Sequence, residues 1–124
     1  MPMRSIAVLL LMVASAMPLV AHHNAYAPDR SRSITIEGTV ETFVFGGPHV
    51  EIRIRTADGV VCAAEWQTVG YLSNAGITRD TIKTGDYLIV RGSPYKNPKA
   101  EKITLLAEIR RPADGWKWNS PMYK

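Results

Sequence analysis

The stretch HVEIRIRTADGVVCAAEW, residues 49–66, decides the fold of this chain. Apolar and charged side chains alternate through its first half, and the apolar positions are Val50, Ile52 and Ile54. A period of two is the pattern of a β-strand with one buried face. Asp58-Gly59 then supplies a pair that tight hairpin turns favour, and a second apolar run follows up to Trp66. The stretch predicts an antiparallel hairpin.

The residues before this hairpin predict one more strand. The segment ITIEGTVETFVF, residues 34–45, is rich in β-branched side chains. Gly46-Gly47-Pro48 follows as a turn sequence, which places His49 at the first position of the next strand. Three consecutive antiparallel strands are therefore expected.

The residues after the hairpin predict a helix and two further strands. TVGYLSNAG, residues 68–76, has apolar residues at helical spacing and ends in a glycine that suits a helix stop. Strands are predicted at residues 87–92 and 102–111, where β-branched and apolar residues recur. The sequence thus predicts an all-β fold with one short helix.

The order of these elements predicts how the sheet is arranged. Three strands, a helix and two further strands follow one another in the order that is typical of a five-stranded OB-like β-barrel. Gly38 and Gly92 stand inside strands, where a small barrel has to coil sharply. An open β-sandwich or a meander with one helix is the alternative arrangement.

The N-terminus has the features of a secretory signal peptide. Arg4 precedes an uncharged run from Ile6 to Ala14, and the small residues that follow allow cleavage after Ala16 or after Ala21, of which Pro18 favours the second. The run is too short for a membrane span, so no span is expected after processing. The predicted divisions are a signal peptide (1–21), an arm (22–33), the barrel domain (34–111) and a C-terminal tail (112–124). The protein is expected to be periplasmic or secreted.

Composition says little about the ligand. Removal of residues 1–21 takes away one basic residue, Arg4, and lowers the formal charge from +4 to +3. Cys62 is the only cysteine, so an internal disulfide is excluded and a buried strand position is expected. Trp116 and Trp118 alternate as on an edge strand, with one ring expected to pack on the barrel.

Four segments resemble a family of small exported bacterial proteins of uncharacterised function. They are His22-His23, the Pro-His element FGGPH at 45–49, Trp66, and GITRDTIKTGDYLIVRG at 76–92. The resemblance covers most of the chain after the leader. It implies an exported domain and no particular activity.

The three histidines predict a metal site. Cleavage after Ala21 would make His22 the first residue, so that its α-amine and imidazole can chelate one ion, with His23 beside it. His49 would supply a third nitrogen, and nitrogen ligands favour copper over other first-row divalent ions. A soluble, flexible start at His22 and a turn-capping role for His49 are the alternative interpretation.

A metal-free binding surface is the second hypothesis. OB-like barrels bind extended ligands across one strand face. The candidate residues are Arg53, Arg55, Tyr71, Tyr87 and Tyr95, with nearby lysines. In an exported protein such a surface suits a partner protein of the envelope, a peptide or an acidic glycan. Nucleic acid is not the expected ligand, because an exported protein rarely meets it.

An enzyme is not expected from this sequence. It contains no Gly-x-Ser-x-Gly element, no His-Glu-x-x-His zinc signature and no glycine-rich phosphate loop. The sequence therefore predicts an exported binding module, with copper as the first candidate ligand and a partner, peptide or acidic glycan as the second.

Overall fold

The computed structural model of the protein describes residues 27–123. The elements in that part of the chain are β1 (Ile34–Val44), β2 (Glu51–Arg55), β3 (Val61–Glu65), α1 (Val69–Asn74), β4 (Tyr87–Pro94), a 3-10 turn (Pro98–Ala100), β5 (Lys102–Arg111) and β6 (Trp116–Asn119). None of the helices in these residues has the length and apolar character to cross a membrane. The predicted signal peptide, His22 and His23 lie outside the described residues.

Five strands close into a barrel. The pairs β1–β2, β2–β3, β1–β4 and β4–β5 are antiparallel, and the parallel pair β3–β5 completes the ring. With α1 between β3 and β4, this is the predicted OB-like barrel, and the open sandwich or meander does not form. β6 pairs with β5 as an extra strand outside the ring.

Alternate residues of β2, β3 and β4 fill the barrel interior, as the period of two predicts, whereas in β5 the alternation breaks on either side of Leu105. Ile52 and Ile54 of β2 and Leu88 of β4 are fully buried. Leu72 is the buried residue of α1 and belongs to the same cluster. Cys62 is a free, buried thiol in β3, in agreement with its expected strand position.

The short helix begins and ends as its sequence predicts. The hydroxyl of Thr68 caps the helix by accepting a hydrogen bond from the Tyr71 backbone N–H at 3.3 Å. Gly76 follows at φ +81°, a left-handed conformation that glycine adopts without steric cost. The N–H of Ile77 then donates back to the Leu72 carbonyl at 2.9 Å, which ends the helix.

Both strand glycines stand where another chain segment approaches the backbone. A side-chain carbon on Gly38 would overlap the carbonyl oxygen of Arg55 in β2. A side-chain carbon on Gly92 would lie 2.7 Å from the carbonyl oxygen of Thr104 in β5, beside a shift in the β4–β5 register. The glycines therefore allow the close approach of strands at the two bends.

The C-terminal segment contributes the buried Trp118 to the core, and the partly buried Trp116 packs against the same core. Trp118 of β6 is buried and contacts the edge of Trp66, with ring centroids 5.1 Å apart and planes at 77°. Edge-to-face geometry is favourable for aromatic pairs. One tail ring was expected to pack on the barrel, and the structure shows that both do, Trp118 buried and Trp116 partly buried.

Arg111 joins three segments at the far end of β5. Its Nη1 donates to the carbonyl oxygen of Thr81 at 2.6 Å and to the carboxylate of Asp86 at 3.0 Å. Its Nε donates to Asp114 at 3.1 Å, and this hydrogen bond is the main reason that the pKa of Asp114 lies below its usual value. The side chain therefore ties the loop before β4 to the β5–β6 turn.

Arg111→Gln should lower the free energy of unfolding by about 1–2 kcal/mol at neutral pH, because contacts to a partly buried guanidinium are lost. A carboxyl with a depressed folded pKa stabilises the fold above its unfolded pKa of about 3.9, and that contribution disappears as the pH falls through the folded value. The difference between the variant and the unmodified protein should therefore shrink in acid. Urea unfolding at about pH 7 and about pH 2.5 measures both effects.

Arg110→Gln is the matched control, because Arg110 is half exposed and pairs with Glu108 alone among the described residues. An exposed pair of this kind contributes little. Equal losses for the two variants, or a difference that persists unchanged in acid, would contradict the role assigned to Arg111.

Candidate functional site

A cleft lies at the end of the barrel where the β1–β2 and β4–β5 connections meet. Its volume is about 220 Å³. We call it the end cleft, and the lining residues used below are Pro28, His49, Glu65, Trp66, Tyr95 and Tyr123. A second cleft of about 340 Å³, the rim cleft, shares His49 and Glu65 with it and extends to Val44 and Pro48. The two clefts therefore adjoin at His49 and Glu65, and we call the pair the groove.

Glu65 is the centre of a polar cluster in this groove. The ammonium group of Lys102 lies 3.0 Å from its carboxylate, and the hydroxyls of Thr104 and Tyr95 donate to it at 3.3 and 3.5 Å. The hydrogen bond to Glu65 raises the pKa of Lys102. Burial raises the pKa of Tyr95, and the charge of Glu65 adds to that shift. The two pKa shifts thus favour the ammonium form of Lys102 and the neutral phenol form of Tyr95.

The parallel β3–β5 pairing produces this cluster. Ala63 stands opposite Lys102, so Glu65 at the end of β3 lies beside the first residues of β5. The Lys102 ammonium is also 5.7 Å from the centre of the Tyr95 ring, within reach of a cation–π contact. Closure of the barrel therefore fixes the side chains of the groove.

Trp66 brings an unsatisfied donor to the end cleft. The residue is 3% exposed, and its indole Nε1 has no hydrogen-bond partner among residues 27–123. Buried polar groups of proteins are nearly always hydrogen-bonded. A buried indole N–H without a partner is therefore unusual, and it belongs to a residue that lines the end cleft.

The N-terminal arm passes directly over the end cleft. The backbone N–H of Asp29 donates to the Pro94 carbonyl at 2.8 Å, and the N–H of Lys96 donates to the Ala27 carbonyl at 3.0 Å. Pro28 forms a bridge with Tyr95 and lines the same cleft as His49. The chain that arrives from the two leading histidines thus enters at this cleft.

The predicted metal site has one ligand among the described residues. His49 is exposed and lines both clefts. Residues 27–123 contain no group of three or more His, Cys, Asp or Glu side chains that would hold a metal. His22 and His23, the other two candidates, belong to the part of the chain that is not described.

His49 lies just before β2 rather than at its first position. β2 begins at Glu51, and the last pairing toward the loop is made by Val50, which donates to the Gln67 carbonyl at 2.9 Å and accepts from Trp66 at 2.8 Å. Val50 is the last buried residue on this side, so the chain leaves the sheet there. His49 is therefore free to face the groove.

The arginines of the predicted ligand surface are paired with acids. Nε of Arg53 lies 2.9 Å from Glu51, and Nε of Arg55 donates to Glu41 at 2.6 Å. Both arginines are exposed on the outer face of β2. Each positive charge on this strand is thus offset locally, which reduces its attraction for an acidic ligand.

The tyrosines of that surface lie in different places. Tyr87 is opposite Thr39, which is opposite Arg55, so Tyr87 and Arg55 share the outer face of the sheet. Tyr71 is on α1 and packs against the core, and Tyr95 lines the end cleft. The structure therefore brings only part of the predicted set together.

Three groove residues were not expected from the sequence as parts of a site. Glu65 is the single charged residue of β3, Thr104 is a buried polar residue of β5, and Tyr123 comes from the tail. A lone charged residue at the end of an apolar run was the one available signal, and Glu65 in VVCAAEW has it. The partners of Glu65 depend on barrel closure, which no local pattern specifies.

Comparison with known proteins gives a family and no activity. Residues 9–104 match a family of unknown function, DUF6152, and the match includes the three histidines, Glu65, Tyr95 and Lys102. None of the curated proteins compared matches the chain, and no solved structure matches it. Because the match covers most of the chain, the protein belongs to the DUF6152 family of unknown function.

Proposed function

We propose that this protein is an exported binding module that holds a copper ion at the end cleft. Export rests on the leader pattern of residues 1–21, with cleavage after Ala21 and a periplasmic or secreted product. In this proposal the ligands are the α-amine and imidazole of His22 together with the imidazole of His49. His23 is the neighbouring, secondary ligand.

One observation carries the proposal: Pro28 of the arm and His49 line the same cleft. Ala27 is fixed there by its hydrogen bond from Lys96. The five residues that precede Ala27, residues 22–26, span up to about 18 Å when extended. That reach, together with the shared cleft, supports a new N-terminus placed beside His49.

The chemistry of the donors supports copper. An α-amine and an imidazole on one residue form a chelate, and the imidazole of His49 adds a third nitrogen. Among the first-row divalent ions, copper binds such nitrogen ligands most tightly. Within residues 27–123 the His49 ring makes no hydrogen bond and no ion pair, so both of its nitrogens are available. Metal binding then requires only the loss of protons from the amine and imidazoles.

His49→Ala should weaken copper binding by roughly tenfold or more, because one of three nitrogen ligands is lost. His23→Ala should change it much less. Calorimetric titration of the two variants measures the affinities. Quenching of tryptophan fluorescence gives a second readout, since Trp66 lines the same cleft as His49. Equal affinities for His49→Ala and the unmodified protein would remove His49 from the site.

A metal-free module for a partner protein, a peptide or an acidic glycan is the second candidate. The groove lies between the β1–β2 and β4–β5 connections, the region where OB-type barrels take extended ligands. Its aromatic residues Tyr95, Tyr123 and Trp66 are suited to such contacts. This candidate gains support if the processed protein takes up no copper.

A further inference from the structure

A third depression lies beside the end cleft and shares Leu105 and Tyr123 with it. Its volume is about 290 Å³. We call it the arm pocket, and its polar lining consists of Arg30, Ser31, Arg32 and Ser33 of the arm with Ser93 of β4. The polar lining thus comes from two arginines and three serines.

The charge of the arm pocket is not offset by its own lining. No carboxylate lines the pocket, and neither Arg30 nor Arg32 has an ion pair within residues 27–123. The nearby carboxylate of Asp29 instead accepts hydrogen bonds from the N–H and hydroxyl of Ser31, at 3.1 and 2.6 Å. In contrast to Arg53 and Arg55, the two arm arginines have no ion pair within residues 27–123, although the charge of Arg32 contributes to the lowered pKa of Asp29.

The part of the arm that lines the pocket is fixed to the barrel at both of its ends. The N–H of Asp29 donates to the Pro94 carbonyl, and the N–H of Arg32 donates to the Asp29 carbonyl at 3.2 Å. Strand pairing resumes directly after Ser33, where Ile34 stands opposite Gly92. A segment fixed in this way loses little further freedom on binding.

The other side of the pocket is apolar. Leu105, Ala107, Met122 and Tyr123 line it, and Met122 is 54% exposed. Leu105 has φ +49°, a conformation that leucine rarely adopts and that costs energy. The strained residue places its side chain at the wall that separates the arm pocket from the end cleft.

We propose that the arm pocket binds a small organic phosphate or sulfate ester. The guanidinium groups of Arg30 and Arg32 would pair with the oxyanion, as arginine does with planar or tetrahedral oxygen groups. The hydroxyls of Ser33 and Ser93 would donate to the remaining oxygens, and the organic part would pack on Leu105 and Met122. The site is independent of the copper proposal, since it uses none of the histidines.

Phenyl phosphate is the probe that matches both halves of the pocket. In calorimetric titration at low salt, it should bind one to one, more tightly than inorganic phosphate, while phenol should not bind. The double variant Arg30→Gln/Arg32→Gln should lose roughly tenfold or more in affinity, because two charge-assisted hydrogen-bonding groups are removed. His49→Ala should leave the affinity unchanged, which separates this test from the copper test.

Arg79→Gln/Lys83→Gln is the control, since it removes the same charge from two exposed positions outside the pocket. An equal loss in the control, or no binding by the unmodified protein, would overturn the proposal.

Vesicles of phosphatidylglycerol and of phosphatidylcholine show whether the ester belongs to a lipid headgroup or to a soluble molecule. If the unmodified protein binds the anionic vesicles and the double variant does not, the site takes the phosphate of a lipid headgroup. Binding of phenyl phosphate without vesicle binding would support a soluble ester.

Discussion

Gly38→Ala should lower the free energy of unfolding by about 3 kcal/mol or more, or prevent folding altogether. The added carbon would overlap the carbonyl oxygen of Arg55 and contact Ile54 at 3.0 Å. Backbone cannot rotate away as a flexible side chain can, so β1 and β2 would have to separate at their bend. Thermal unfolding should show a midpoint lower by about 15 °C for a domain of this size.

Gly70→Ala is the control for this prediction. Gly70 lies in α1, and a side-chain carbon there would have no neighbour within 4 Å. Alanine is the better helix former, so this variant should be as stable as the unmodified protein or slightly more so. A Gly38→Ala protein as stable as Gly70→Ala would contradict the close approach of β1 and β2.

Much of the fold was predictable because it follows from local patterns. The alternation of Val50, Ile52 and Ile54 reports one buried face of a strand, and Gly76 marks the helix end directly. Gly38 and Gly92 were informative because a strand interior rarely has glycine without a geometric reason. Strand order followed from the number and sequence of elements, since few topologies accommodate them.

The candidate site was less predictable because it depends on contacts between distant residues. The cluster of Glu65 with Lys102 and Thr104 exists only because β3 and β5 pair in parallel. The pairing of Arg55 with Glu41 also joins two strands, β2 and β1. It offsets a positive charge that the sequence of β2 alone leaves unpaired. The spacing E-x-R in β2 was a usable signal for the Arg53–Glu51 pair, because residues two apart on a strand share a face.

Blocking the α-amine of His22 should have the largest effect on copper binding. An acetyl group converts the amine into an amide, which no longer offers a lone pair to the metal, and the chelate is lost. We expect an affinity at least about 100-fold lower, because the two donors of a chelate act at high effective concentration. Acetylation is a cleaner change than a short extension, since a free amine one or two residues before His22 would itself chelate copper with the histidines.

The most direct measurement is a calorimetric copper titration of protein that begins at His22, beside the same protein acetylated at its α-amine. Intact mass first verifies both N-termini. The account predicts one tightly bound ion for the free form and a large loss of affinity for the acetylated form. Equal affinities, or no copper uptake by the free form, would contradict a copper site built from the processed N-terminus and His49.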